Sequence, residues 1–197
     1  ETRFLRAATR FANYVSATYG YGKINMVPAH SEPEDFVLML YHLYQDEPEL
    51  KNDENLKDLS INEQDYLELV EFWVNNRGNH DGRILNANYG VYAQDHALYY
   101  DQLEPAGHAV RANLFYNAIA LMGREKNKEN CGYLNSAMTL WDTIIRTQMY
   151  ITGATGSSAE QEKYGGEYDL PNDGYCETCA AMSMGTFSKA LGLALAD

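Results

Sequence analysis

Apolar side chains return every three or four residues along most of this chain, a rhythm that demands helices and leaves little room for a sheet. Phe4, Ala8, Phe11 and Val15 share one helical face before Gly20-Tyr21-Gly22 stops the segment. Phe36, Leu40, Leu43 and Tyr44 form a second stripe, and Tyr66, Leu67, Val70, Trp73 and Val74 a third that ends before Gly78. After a loop to about Pro105, a fourth helix is expected from about Gly107 to Met122. A fifth carries Leu134, Met138, Trp141 and Ile145, and a sixth Ala180, Met184, Phe187 and Leu191. Ser31 with Glu34, and Ser60 with Glu63, read as capping boxes, and Pro33 is tolerated in a first turn where its missing N–H has no helical partner. Gly90 to Gln94 is too isolated for a sheet, and no alternating runs are joined by hairpin turns. The expected class is all-α, with about six helices.

Charge and length then narrow the partners. The chain has 197 residues, 45% of them hydrophobic, enough for one domain with a core. Its 28 acidic side chains against 15 Lys and Arg give a net charge of −13, which disfavours a phosphate backbone or an acidic lipid surface and is indifferent to a neutral sugar. The most hydrophobic stretch, Ala180 to Ala196, is interrupted by Ser183, Thr186, Ser188 and Lys189, short of the roughly 18 uninterrupted apolar residues of a membrane span. Both ends read as helix interior, which leads us to expect a piece of a longer protein, with localisation signals outside it.

The loops ahead of the second, fourth and sixth helices hold the reactive residue types: Pro28-Ala29-His30, Pro105-Ala106-Gly107-His108 and Tyr175-Cys176-Glu177-Thr178-Cys179. Inner helices that all start at one end of a helical toroid would gather these loops into one pocket, as in an (α/α) barrel.

Three cysteines make no disulfide framework, and Cys131, in a polar stretch, is read as incidental. Cys176 and Cys179 lie at a helix start, where free N–H groups and the helix dipole favour a thiolate. Glu177 and Cys179 can therefore form a zinc corner, or else a buried thiol beside a first-turn acid; no βαβ context supports a redox motif. The loop from Gly156 to Asp169 is dense in carboxylates, the usual proton donors in glycoside hydrolysis, although a solvated acidic loop has the same composition. A phosphate loop is excluded there, because no Gly-Lys-Ser/Thr follows Gly153 to Gly156. His30 and His108 at helix starts are expected to be neutral, either as hydrogen-bonding groups for a sugar or as structural imidazoles. His42, His80 and His96 are read as structural or surface, and none of the 16 tyrosines is assigned to substrate.

Taken together, Gly107-His108-Ala109-Val110-Arg111-Ala112, Tyr168 to Asp173 and Tyr175-Cys176-Glu177-Thr178-Cys179-Ala180-Ala181 resemble the β-L-arabinofuranosidases of glycoside hydrolase families 127 and 146. Tyr92-Ala93-Gln94-Asp95-His96 and Phe72 to Gly78 fit the same pattern, so the likeness runs along nearly the whole chain. The resemblance implies an (α/α)6 barrel catalytic domain, of which residues 1–197 would be an incomplete part truncated at both ends, acting on L-arabinofuranose or a related sugar in plant-derived glycans. It implies a retaining exo-glycosidase whose nucleophilic cysteine thiolate sits on zinc with two further cysteines and a glutamate. Carried over position by position, Glu177 and Cys179 match zinc ligands, Glu162 the general acid/base with Glu160 as fallback, and His30 and His108 the sugar-contacting histidines.

The departures are an absent adjacent cysteine pair, which would lie downstream, and an absent N-terminal histidine. The spacing between Asp173 and Glu177 is one residue shorter than the pattern, and Ala29 stands where a Gly usually precedes His30. The expected partners are accordingly a carbohydrate and the remainder of the parent chain, without which this piece should be inactive. The competing readings are a non-catalytic helical scaffold and a same-fold enzyme that inverts or eliminates on another sugar.

Overall fold

A helix buried on nearly every side must be enclosed by its neighbours, and the fourth helix is such a segment. The computed structural model describes residues 2–126 and 132–196, so Cys131 lies outside the described residues. Among them are α1 (Thr2–Thr18), α2 (Glu32–Asp46), α3 (Glu63–Asn76), α4 (Ala109–Lys126), α5 (Gly132–Thr143) and α6 (Thr178–Ala196), and no β-strand. Helix α4 touches α2, α3, α5 and α6, and Ala112, Phe115, Tyr116, Ile119 and Met122 on it are fully buried. Each large side chain so enclosed contributes about 1.5–3 kcal/mol relative to exposure. Helix α6 lies along α4 in the same direction, with Asn113 facing Ser183 and Tyr116 packing on Phe187 one turn further on.

The stripes on α3 and α6 are buried as their periodicity predicts, whereas α1 is rotated by about one position. Its core face is Thr9, Ala12, Val15 and Ser16, while Phe4 and Phe11 are 78% and 51% exposed. The rotation follows from polar pairing: Thr9 Oγ1 meets Tyr44 Oη at 2.5 Å inside the core, and Arg6 on the same side binds Asp58. By length and composition α6 could cross a bilayer, with a mean hydropathy of 1.2 despite its interrupting Ser, Thr and Lys. Here its Ala180, Met184, Phe187 and Leu191 face is buried in the core.

Neither capping box forms. Ser31 Oγ is buried without a partner, and Glu34 turns inward to Arg77. Asn62, not Ser60, precedes α3, and Glu63 accepts from Lys51 and Gln45. In both places a long-range partner outcompetes the local backbone N–H.

Arg77, just past α3, ties the site-bearing loops to this core. Its Nη2 donates to Glu34 Oε1 at 2.9 Å and to the Pro28 carbonyl at 2.8 Å, and its Nη1 to the Ala93 carbonyl at 3.0 Å. The guanidinium lies 4.8 Å from the Phe115 ring centroid, and both members of the ion pair are completely buried. A second buried pair closes the next loop: Asp95 accepts from both Nη atoms of Arg83 and from the Gly78 and Tyr89 amides. Arg77→Met should destabilise the fold by about 3–5 kcal/mol in denaturant unfolding, because Glu34 is left buried and unpaired. Arg77→Met with Glu34→Leu should recover most of that loss, and a double variant as unstable as the single one would show that the charge is not the cause.

Candidate active site

The loops ahead of α2, α4 and α6 meet at one end of the helices. Arg111 in the first turn of α4 donates to the Ala29 carbonyl, which brings the His30 loop beside His108. The Tyr164 amide donates to the Gly107 carbonyl at 3.0 Å, docking the carboxylate-rich loop on the start of α4. The Cys176 and Tyr175 amides donate to the carbonyls of Gly156 (3.0 Å) and Ser157 (2.9 Å), so the same loop also clasps the start of α6. Below them buried Asn113 donates to the Ala180 carbonyl at 3.0 Å and accepts from Tyr164 at 2.5 Å. Gly107 permits the close approach: its φ is +72°, and a Cβ there would sit 2.0 Å from the Val91 oxygen.

Glu162 is at the centre. It sits in a short 3-10 turn (Glu160–Glu162) in which Gln161 and Glu162 both take left-handed backbone, at φ 57° and 52°. Such strain costs of order 1–3 kcal/mol per residue and persists where surrounding contacts enforce it. The contacts here are side chains on two other loops. Tyr175 Oη donates to Glu162 Oε1 at 2.7 Å, and His108 Nε2 lies 2.9 Å from Glu162 Oε2. The Arg111 amide donates to His108 Nδ1 at 3.3 Å, which assigns the imidazole proton to Nε2 and makes His108 the donor to the carboxylate. The hydrogen bonds from Tyr175 and then His108 hold the Glu162 carboxyl below the usual glutamate range.

His108 is 7% exposed, its ring edge-on to Tyr92 at 5.3 Å, and Arg111 covers the Tyr92 face at 4.8 Å. His30 is half-buried beside this group, with Nδ1 3.6 Å from Glu32. Burial first, with Arg111 and His108 adding to it, pushes its imidazole below the usual value against the pull of Glu32, which favours the neutral form. Glu160 turns to solvent and pairs with Lys163 at 2.7 Å, so the fallback acid lies outside the cluster. His80 bonds the Asp95 carbonyl and His42 faces Glu125, both away from these groups.

Glu177 joins Glu162 and His108 in a group whose ligand-capable atoms lie within 4.8 Å of one another. Cys179 is exposed and hydrogen-bonded to Glu177. That bond, with the negative charge of Glu177 and, more weakly, Glu162, pushes the thiol above its usual value, against the thiolate expected at a helix start. The donor chemistry nevertheless suits zinc: one sulfur and one carboxylate adjoin, and Glu177 Oε2 is buried without a hydrogen-bond partner. A cation there would offset the carboxylate charge that pushes the Cys179 thiol upward. Cys176 turns elsewhere, toward Tyr150, whose phenol is pushed up to about 12 by burial and by its hydrogen bond with Cys176.

All-helical, with its reactive side chains collected at the leading ends of α2, α4 and α6, the domain is of the helical-barrel type. The sequence model of the β-L-arabinofuranosidase GH127 catalytic domain matches residues 1–195, and the chain belongs to that family. It is 30% identical over 208 residues to the non-reducing end β-L-arabinofuranosidase of Bifidobacterium longum subsp. longum, covering 95% of this chain and 28% of that protein. A solved GH127 β-L-arabinofuranosidase from Geobacillus stearothermophilus T6 superposes with a TM-score of 0.74 at 29% identity, over 94% of this chain and 28% of its own. A second GH127 β-arabinofuranosidase gives a TM-score of 0.78 at 28% identity, over 98% and 27%. The chain thus spans less than a third of the length of these relatives. Its helices correspond to part of an (α/α)6 barrel.

Tyr175 bonds Glu162, and Tyr92 and Arg111 flank His108; sequence reasoning assigned none of the three a role. Their roles depend on which way each side chain faces, which spacing does not report. Two outcomes follow from the geometry. Gly107→Ala should displace His108 and lower the unfolding midpoint, since both the backbone conformation and the Val91 contact oppose a Cβ. His108→Ala should raise the Glu162 titration midpoint toward the ordinary glutamate value, as read from carboxyl ¹³C shifts. An unchanged midpoint would assign the whole depression to Tyr175.

Proposed function

We propose that this domain supplies the acid/base carboxylate, the sugar-contacting imidazoles and part of a zinc corner to a retaining, exo-acting β-L-arabinofuranosidase. The substrate class is plant-derived glycan ending in L-arabinofuranose. The observation that carries the reading is the meeting of Glu162 with His108 and Glu177, three groups from three separate loops, in one cluster. Family membership supports the reaction class.

Glu162 acts twice. As an acid it passes a proton to the leaving oxygen while the glycosidic C–O bond breaks; as a carboxylate it takes a proton from the water that later releases the sugar. The depressed pKa of Glu162 in the free site favours the base form, so binding of the sugar, which displaces water from the carboxyl, has to favour the acid form. His30, neutral and half-buried, can both donate to and accept from sugar hydroxyls. Glu177 and Cys179 hold zinc together with ligands from the rest of the parent chain. Zinc bound there lowers the pKa of its sulfur ligands and fixes their orientation. The sulfur nucleophile implied by the family resemblance comes from outside these residues.

Retention is the outcome a sulfur nucleophile requires, because attack on the anomeric carbon and release by water each invert it once. Glu162→Gln in the full-length protein should lower turnover of aryl β-L-arabinofuranosides with poor leaving groups by about 10²–10⁴ and spare activated ones far more. Normal turnover in that variant removes Glu162 from the role. Proton NMR of the first-formed sugar should show the β anomer, and the α anomer would replace the retaining scheme with inversion. Zinc should co-purify with the full-length protein and be lost on Cys179→Ser; its absence from both would favour a scaffold.

A further inference from the structure

Each oxygen of the Glu162 carboxyl faces a different kind of partner. Oε2 meets His108 Nε2, and because His108 Nδ1 already accepts the Arg111 amide, this imidazole can only donate. A proton on Oε2 would oppose the His108 N–H, so a transferable proton belongs on Oε1. Oε1 meets Tyr175 Oη at 2.7 Å. A phenol hydroxyl both donates and accepts, and it turns about its C–O bond to do either.

We propose that Tyr175 is a positioning residue for the acid/base carboxylate, holding Glu162 in both protonation states that a two-step hydrolysis requires. The proposal rests on the reading of Glu162 as the acid/base. With Glu162 ionised, Tyr175 donates to Oε1. With Oε1 protonated, the Oε1–H bond points to Tyr175 until the leaving oxygen takes the proton, and the proton from water returns to Oε1 in the second half-reaction. Tyr175 is built for this task by its backbone. Its amide is bonded to Ser157, the next amide to Gly156, and Cys176 takes left-handed φ of 48°, which sets the ring across the loop from Glu162. The carboxylate side chain is 39% exposed on a strained turn, so the two hydrogen bonds are what restrain it.

The test uses the full-length enzyme and a series of aryl β-L-arabinofuranosides of graded leaving-group acidity. Tyr175→Phe should lower kcat roughly 10- to 100-fold for the poorest leaving groups, with little change for the best and with KM nearly constant. In a Glu162→Gln background the same substitution should have almost no further effect, because its target is gone. A loss that is uniform across the series, no loss at all, or a loss that multiplies fully with Glu162→Gln overturns the role of Tyr175 and leaves Glu162 standing. A parent enzyme that turns over no member of the series, or a Glu162→Gln variant insensitive to the leaving group, overturns the underlying reading and the tyrosine with it.

Discussion

Enclosure of α4 is the constraint on which the rest of the structure depends. Ala112, Phe115, Tyr116, Ile119 and Met122 bury one side of this helix and Asn113, Asn117, Ala118 and Ala120 the flanks, so it has little face to give to solvent and α2, α3, α5 and α6 pack around it. Helix α6 then runs in the same direction beside it, and the starts of the two fall at one end. His108 precedes one start and Glu177 the other, so a purely hydrophobic requirement delivers two polar groups to the same place.

Buried polar pins convert that packing into a defined site. Arg77 reaches the Pro28 and Ala93 carbonyls from the core, and Asn113 joins α6 to the loop that carries Glu162. Each pin is costly to leave unpaired in a low-dielectric interior, and that cost restricts the loops to few arrangements. The strained turn at Gln161 and Glu162 is tolerable only within this frame.

Electrostatically the cluster is dominated by two neighbouring carboxylates. Two hydrogen bonds favour the Glu162 carboxylate, while Glu177 pushes the neighbouring thiol above its usual value. The carboxylates of Glu162 and Glu177 lie close together, with the Cys179 thiol beside Glu177.

The helices were legible in the sequence because hydrophobic periodicity is a local signal: the stripes on α3 and α6 are buried as read, whereas Met138 of the expected α5 stripe is 45% exposed and Ala137, Leu140 and Ile144 face the core instead. The convergence of the loops ahead of α2, α4 and α6 was legible as well, from their repeat, and motif likeness named Glu162, His30 and His108 as candidates, of which Glu162 and His108 are in contact. The rotation of α1, the failure of both capping boxes and the seat of Tyr175 were not. Each is decided by a partner far away in the chain: Tyr44 for Thr9, Arg77 for Glu34, Glu162 for Tyr175. By itself, then, the sequence determined which segments are helices and which residue types lie before them, since both follow from neighbours within a turn or two. Only the tertiary structure decided which carboxylate is held and which oxygen faces which donor, because those hydrogen bonds span loops that packing alone brings within 3 Å.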